Sequence, residues 1–457
     1  MLWLITLATV PLSVRAMLPV LGTEIIFPAE PLLASLAAWN ITARFRATGL
    51  RESVRLLARS RLGWIGVSWI ALHATSAVFS SHPLVSWKST LVQAVYVVAL
   101  LPITRGGVEA LRSAWQGRRQ VHDLAFLAVI AFTLTWASIH GLDRMAMNFS
   151  AYPFYMDHTL YAAVLCFVLF RFIGLLNDAR RDKPRDMRLL CLAVLTAALG
   201  LALVLSYSRA AWLGAASAFV LLAFVRAGVK RAILALIGLS VTAWLLFTFT
   251  PLSAYVSQWR HYASQDHGMG PLRTLLSIAN TRSDTNNRDR IIRWKASWRM
   301  FKDRPLVGTG AGTWPLHCLS HMTAAEIQQV HGPLPPALPA PVPALRLGEH
   351  LHFRDHAGGT ASNAGSAHSE YLLALSERGL GGLVWWMVVV GLVSRRTIGH
   401  LREAATTSDN AHAWAMGLAL IAFLVHAVFN NFLDDCKAAV LFWPCLALLL
   451  EPRDHSD

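Results

Sequence analysis

The sequence predicts an all-α integral membrane protein of about 12 transmembrane helices, with one large, partly helical loop on the outer side of the membrane. Three observations carry that expectation. The first is composition: the 457 residues are 55% hydrophobic and 15% charged, with mean hydropathy +0.44, whereas soluble globular chains are about a quarter charged. The second is a recurrence of apolar stretches of about 17–25 residues, the length that crosses a bilayer core as a helix. The third is where the positive charges fall. With 41 Lys+Arg against 26 Asp+Glu the chain carries +15, a balance that would otherwise raise the question of nucleic-acid binding.

Taken in order, the apolar stretches centre on 2–21, 24–40, 63–81, 87–104, 123–140, 158–175, 189–206, 210–226, 232–250, 379–394, 411–430 and 438–451. The first two are interrupted by Arg15, Glu24 and Glu30, and Pro11 and Pro19 are positioned to kink them. Residues 1–17 also resemble a signal peptide. A start without positive charge and an immediate apolar continuation favour an uncleaved first helix. Alternate connections hold 22 basic residues, among them Arg44, Arg46, Arg105, Arg180, Arg226, Arg395 and Arg453, whereas the opposite short connections hold five: Arg15, Lys88, Arg144, Arg209 and Lys437. The positive-inside rule then places both termini in the cytoplasm and makes the number of spans even. Topology accounts for most of the positive charge, and no nucleic-acid partner is implied. Cys166, Cys191 and Cys445 fall within spans. Cys318 and Cys436 lie on the outer side, where a disulfide is permitted though no spacing requires it.

The domain organisation expected is spans one to nine over 1–250, the outer loop over 251–378, and the last three spans with the tail over 379–457. Structureless loops of such length are uncommon unless they carry function. Helix is expected from Arg288 to Asp303, where Ile291, Ile292, Trp294, Trp298 and Met300 follow largely helical spacing, and a break at Pro305 and Gly308-Thr309-Gly310-Ala311-Gly312. The run from Gly332 to Pro343 is too rich in proline for helix or sheet and reads as an extended insert. A second helix is expected from near Ala367 through the Gly379-Leu380-Gly381-Gly382 turn into the next span.

Candidate chemistry collects at the outer boundary. Arg209, in Ser206-Tyr207-Ser208-Arg209, lies in a very short connection between two apolar spans. It is either an interfacial arginine that snorkels or a fixed cation beside a lipid phosphate. The loop helix adds Arg288, Arg290, Arg293, Lys295 and Arg299. Several converging guanidiniums suit a pyrophosphate, while a solvated basic face is the plainer account. His368 stands just outside a span and has the residue type of a neutral general base, although a lone histidine is more often structural. Glu370 and Glu377 are alternative bases, or else caps and solvated positions. Tyr371, Leu372 and Leu375 are most simply packing residues, with Tyr207 and Tyr371 the tyrosines placed to touch substrate. Glu349, His350, His352 and His356 have loose metal-ligand spacing without a complete set, and Asp434-Asp435 is a bare pair of acids, so neither a metal nor a cofactor is expected.

Three stretches together resemble the bacterial O-antigen ligases, within the wider O-antigen ligase and polymerase superfamily. They are Ser208-Arg209-Ala210-Ala211-Trp212; Arg290-Ile291-Ile292-Arg293-Trp294 running into Lys302-Asp303-Arg304-Pro305-Leu306-Val307-Gly308-Thr309-Gly310; and His368-Ser369-Glu370-Tyr371-Leu372 with Glu377-Arg378-Gly379-Leu380-Gly381. Each is weak alone, but all three occur in order and on one expected membrane side. The resemblance implies a C-type membrane glycosyltransferase of the inner membrane with a periplasmic active site. Its donor would be O-antigen on undecaprenyl diphosphate and its acceptor the lipid A–core oligosaccharide. By position, His368 corresponds to the catalytic base and Arg209 and Arg290 to essential arginines, with Arg288 the alternative to Arg290. Ser369 departs from the asparagine frequent in that family.

On this expectation His368 takes the proton of an acceptor hydroxyl as it displaces the diphosphate with inversion, and arginines neutralise the leaving charge without a metal. An O-antigen polymerase and a protein O-oligosaccharyltransferase share the donor chemistry. A polyprenyl-lipid or polysaccharide transporter would explain the spans but not the ordered Arg, Arg and His motifs, and no repeat between halves is visible.

Overall fold

The computed structural model describes residues 2–18, 23–101, 121–141, 144–182, 187–228, 284–331, 366–403 and 411–450, with scattered residues elsewhere, mostly between 230 and 280. The apolar stretch at 232–250, the proline-rich run and the histidines at 350, 352 and 356 lie outside the fully described segments.

The chain begins with α1 (Leu2–Thr9), a short 3-10 turn (Val10–Leu12) and an antiparallel hairpin of β1 (Val14–Leu18) and β2 (Thr23–Phe27), in which Val14 faces Phe27 and Leu18 faces Thr23. The expected first span over 2–21 is therefore replaced by a short helix and a hairpin. Eight helical residues rise only about 12 Å, far less than a bilayer core, and Pro11 lacks the N–H that would extend the helix. The expected span over 24–40 is likewise shifted, because helix starts only with α2 (Ala29–Arg59), which bends where Gly49 takes φ 70°.

The remaining helices are α3 (Arg61–Val78), α4 (Pro83–Leu100), α5 (Val121–His140), α6 (Arg144–Met147), α7 (His158–Asp182), α8 (Met187–Leu205), α9 (Arg209–Ala227), α10 (Thr285–Asp303), α11 (Trp314–His317), α12 (Ala324–His331), α13 (Glu370–Glu403), α14 (Ala411–His426) and α15 (Cys436–Leu450). Among the described residues, six helices are long and apolar enough to cross a membrane: α4, α5, α7, α8, α9 and α13. α14 and α15 are shorter apolar helices. The protein is a largely helical, multi-pass membrane protein with about six candidate spans.

α7, α14 and α15 form the centre. α7 is apolar all round, and Tyr161 to Phe170 is buried without interruption, as expected of a helix surrounded by others. It packs on α14 and α8, and α14 on α9 and α13. α8 and α9 sit outside this centre and leave Leu190, Val194, Leu201 and Phe219 exposed, a surface suited to lipid. Cys166, Cys318, Cys436 and Cys445 are buried as free thiols, so the permitted Cys318–Cys436 bridge is absent.

α10, α11 and α12 cap one end of this bundle around a small second core of Ile292, Ala296, Met300, Trp314, Cys318 and Leu373. The cap is fastened at a kink in α13. Gly379 has φ 67°, which interrupts the helical ladder and releases carbonyls of the preceding turn. Thr309 N donates to Ser376 O at 3.0 Å, Gly310 N to Glu377 O at 3.1 Å, and Leu380 N to Pro305 O at 2.8 Å. Gly308 has φ 72°, and a side chain there would strike the Glu377 backbone; one at Gly379 would strike the Leu306 carbonyl. The two glycines thus permit a backbone approach that no other residue type allows.

Candidate active site

Arg209 opens α9. The turn before it is made by Tyr207 at φ 52°, and its guanidinium points into the cap rather than to lipid. Nη1 donates to Ser277 O (3.0 Å), Ser277 Oγ (2.9 Å) and Asp284 Oδ2 (2.9 Å), and Nη2 to Asn287 Oδ1 (3.0 Å). Asp284 is fully buried and also caps α10, accepting from Asn287 N at 3.0 Å. Arg209 therefore ties a bundle helix to the start of the cap helix through a buried, multiply hydrogen-bonded ion pair.

On α10 the residues at 290, 293, 294 and 297 share one face, as spacing of three and four requires. Arg293 Nε donates to Asp289 Oδ2 at 2.8 Å and Nη1 to Ser366 O at 3.3 Å; Trp294 Nε1 donates to His368 O at 3.2 Å; Ser297 Oγ accepts from Trp314 Nε1 at 2.8 Å. This face holds residues 366–368 against the helix. Arg290 differs from its neighbours. Its Nε is buried without a partner, and it forms neither a hydrogen bond nor an ion pair with any described residue. Burial, then the nearby Arg209 charge, lowers its pKa to about 10, against the pull of Asp284, Asp289 and Asp157. A guanidinium so placed is short of a counter-anion.

His368 precedes α13 in the left-handed region, at φ 47°. Its backbone is held by Ser366 Oγ, which accepts from His368 N at 3.3 Å, and by Trp294. The imidazole has no hydrogen bond to a described residue. Burial, followed by the charges of Arg293 and Arg290, lowers its pKa to about 4. The ring is therefore neutral at physiological pH and able to accept a proton.

Three cavities meet these residues. One of about 170 Å³ is lined by Arg209, Asn287, Arg290, Trp294 and Phe429. A second, about 760 Å³ and almost wholly apolar, shares Trp294 and extends along Tyr371, Met387, Val390, Leu424 and Val428, between α13 and α14. The third, about 520 Å³, holds His368 and Arg293 at one side and Glu30, Asp157, Asp434 and Asp435 at the other. A pocket lined by two arginines, an apolar groove and a polar chamber are thus grouped around Trp294 and the His368 segment. Such a grouping suits transfer of a polar group off an amphiphile.

Residues 192–387 match the family model described as O-antigen ligase. The family covers ligases and polymerases, membrane enzymes that transfer lipid-linked glycans. No curated protein and no solved structure matches the chain. The O-antigen ligase match extends from α8 through the cap into α13, so it takes in Arg209, Arg290 and His368.

Within the matched segment, the structure separates the expected site residues. His368 and Arg293 line the polar chamber, Arg209 and Arg290 the small pocket, and Tyr371 the apolar groove, where its hydroxyl donates to Leu424 O at 2.8 Å. Arg288 lines none of the three. Tyr207 packs against Met147 and Leu205 in a separate apolar cluster and faces none of them; the αL turn that aims Arg209 inward turns the tyrosine aside.

The two candidate glutamates are structural. Glu370 Oε1 accepts from Phe432 N (2.6 Å) and Leu433 N (2.8 Å), fastening the α14–α15 connection. Glu377 Oε1 accepts from Trp314 N at 2.9 Å, and its Oε2 lies 3.4 Å from Arg378, whose guanidinium stacks over Trp69 at 4.9 Å. Among the described residues no group of three or more His, Cys, Asp or Glu side chains is arranged to hold a metal ion.

Sequence reasoning missed Asp284, Asn287, Asp157 and Asn430. Asp284-Thr285-Asn286-Asn287 before a basic amphipathic run is a legible helix start. Nothing in the sequence pairs Asp284 with Arg209, and nothing marks Asn430.

Proposed function

We propose that the protein is an O-antigen ligase, transferring O-antigen polysaccharide from undecaprenyl diphosphate to the lipid A–core oligosaccharide at the periplasmic face of the inner membrane. One observation carries this reading: Arg290, whose buried Nε has no partner among the described residues, stands beside Arg209 at a pocket that shares Trp294 with an apolar groove. A ligand that answers both features carries an anionic head on a long hydrocarbon, as a polyprenyl diphosphate does.

The chemistry follows from the placement of charge. The neutral imidazole of His368 accepts the proton of an acceptor hydroxyl in the polar chamber while that oxygen attacks the anomeric carbon. The bond from that carbon to the diphosphate oxygen breaks, and Arg290 neutralises the charge released. Arg209, already committed to Asp284, acts by orienting α10 and by the positive potential it adds. A single displacement inverts the anomeric configuration, so a product that retains it rules the scheme out. Lipopolysaccharide from a strain lacking the gene provides the test. The reading requires loss of every O-antigen-capped species and accumulation of lipid-linked O-antigen. Core bearing one repeat unit would instead identify a polymerase, and an unchanged pattern would reject both.

A further inference from the structure

The proposed reaction leaves the acidic side of the polar chamber without a role, and its polar groups are unlike those of the arginine pocket. Asp157 accepts from Thr159 N and Thr159 Oγ1, both at 2.7 Å, yet its side chain stays 55% exposed to the chamber. Asp434 accepts from Gln93 Nε2 at 3.1 Å and is likewise exposed. Both carboxylates are thus fixed in place with acceptor positions still open. The same chamber is lined by Asn430, only 3% exposed, whose Nδ2 has no hydrogen-bond partner among the described residues. Its backbone is rigidly set, since Asn430 O accepts from Glu370 N at 3.2 Å, and the Glu370 carboxylate holds the two residues beyond Asn431. A buried donor left open on a fixed segment that lines the same chamber as His368 is a place for a ligand oxygen.

We propose that this chamber is the acceptor subsite and selects a phosphate-free, polyhydroxylated sugar ring, with Asn430 Nδ2 donating to a ring or hydroxyl oxygen and Asp157 and Asp434 accepting sugar hydroxyls. The inference rests on the glycan-transfer reading above and names the chemistry of its second substrate. Selection against phosphate follows from charge: Glu30, Asp157, Asp434 and Asp435 face only Arg15 and Arg293 across the chamber. A sugar phosphate would meet a surplus of carboxylates, whereas hydroxyl groups satisfy them. Asn430 and Asp434 are positioning residues here, acting on the ring that presents its hydroxyl to His368.

The test uses the full chain in nanodiscs and two synthetic glycolipids, a C16-linked dihexoside and the same compound phosphorylated on its terminal sugar. Binding is measured without donor. The wild-type chain is expected to bind the neutral compound about tenfold more tightly, and Asn430→Ala to lose about tenfold of that affinity, as loss of a hydrogen bond to a sugar oxygen implies. Because Nδ2 has no partner among the described residues, Asn430→Ala should leave the melting temperature unchanged. Asp434→Asn, which keeps an oxygen for Gln93 but removes the charge, should narrow the preference against phosphate severalfold. No binding by wild type, equal affinity for the two compounds, or an Asn430→Ala chain that binds as wild type each overturns the proposal. Transfer from a polyprenyl-diphosphate glycan is then assayed separately. The expected binding pattern without transfer would sink the glycan-transfer reading and leave the subsite standing, while transfer with a flat binding pattern would do the reverse.

Discussion

Two regions about ten residues apart on one segment of chain treat most of their polar groups differently. At the kink of α13, Glu377 takes the Trp314 N–H, Arg378 lies 3.1 Å from His73 Nε2 and stacks on Trp69, and the carbonyls of Ser376 and Glu377 accept from the Gly308–Gly310 loop. At the start of the same helix, His368 has no partner for its ring, and Arg290 beside it has none for its guanidinium. A buried polar group without a partner costs roughly 1–3 kcal/mol; at the kink this falls on Arg378 Nε, in a guanidinium whose Nη1 is engaged, whereas Arg290 and the imidazole of His368 have no hydrogen bond to a described residue. Largely satisfied charge marks the fastening, and open donors and acceptors mark the candidate site.

The comparison can be broken most severely at its two ends. His368→Ala should lower transfer by about 10²–10⁴-fold, the usual contribution of a general base, with an unchanged melting temperature. Glu377→Ala should do the opposite, reducing the yield of folded protein while the fraction that folds keeps its activity. The arginines give a second contrast, read as stability. Arg209→Ala takes the guanidinium away from the buried Asp284 and should cost about 3–5 kcal/mol, whereas Arg290→Ala removes a cation that has no ion pair with a described residue and should melt at or above the wild-type temperature.

A third effect is a displacement on the pH axis. The reactive form of His368 is the neutral one and its pKa lies at about 4, so kcat/KM should stay level through neutral pH and fall as pH drops through that value. Replacing Arg293 by Ala removes a cation that lowers this pKa, and the acidic limb should move to higher pH. The smallest effect is at the surface of the cap, where the Arg299 guanidinium bonded at 2.6 Å holds the Glu326 pKa at about 2. The folded-state pKa lies below the ordinary glutamate value of 4.5, so the pair stabilises above that value and its contribution fades as pH falls towards 2. The pair is partly open to solvent, and Glu326→Gln should cost less than about 1 kcal/mol at neutral pH.

The apolar helices were legible because lipid imposes both length and composition on them; α5, α7, α8 and α9 lie where hydropathy puts them. The N-terminal region was not, since a hydropathy window cannot distinguish a span from a short helix followed by a hairpin. Arg290 and His368 were visible as residue types at a membrane boundary, and the structure adds that neither the buried Arg290 Nε nor the His368 ring has a hydrogen bond to a described residue. Arg209 stood out for the same reason, but its main partner lies 75 residues away and no local pattern shows that its charge is already balanced. The two glutamates illustrate the limit most plainly. Glu370 and Glu377 look like candidate bases beside a histidine, and only the fold reveals that each is committed to backbone N–H groups of a distant loop.

Binding of undecaprenyl diphosphate to the purified chain, with Arg290→Gln compared to wild type, tests the central claim most directly. If Arg290 is the cation held in reserve for the diphosphate, the variant should lose at least about tenfold in affinity, as expected for a lost charge-assisted contact, and show no fall in melting temperature. Equal affinity of the two proteins for the lipid would contradict the account.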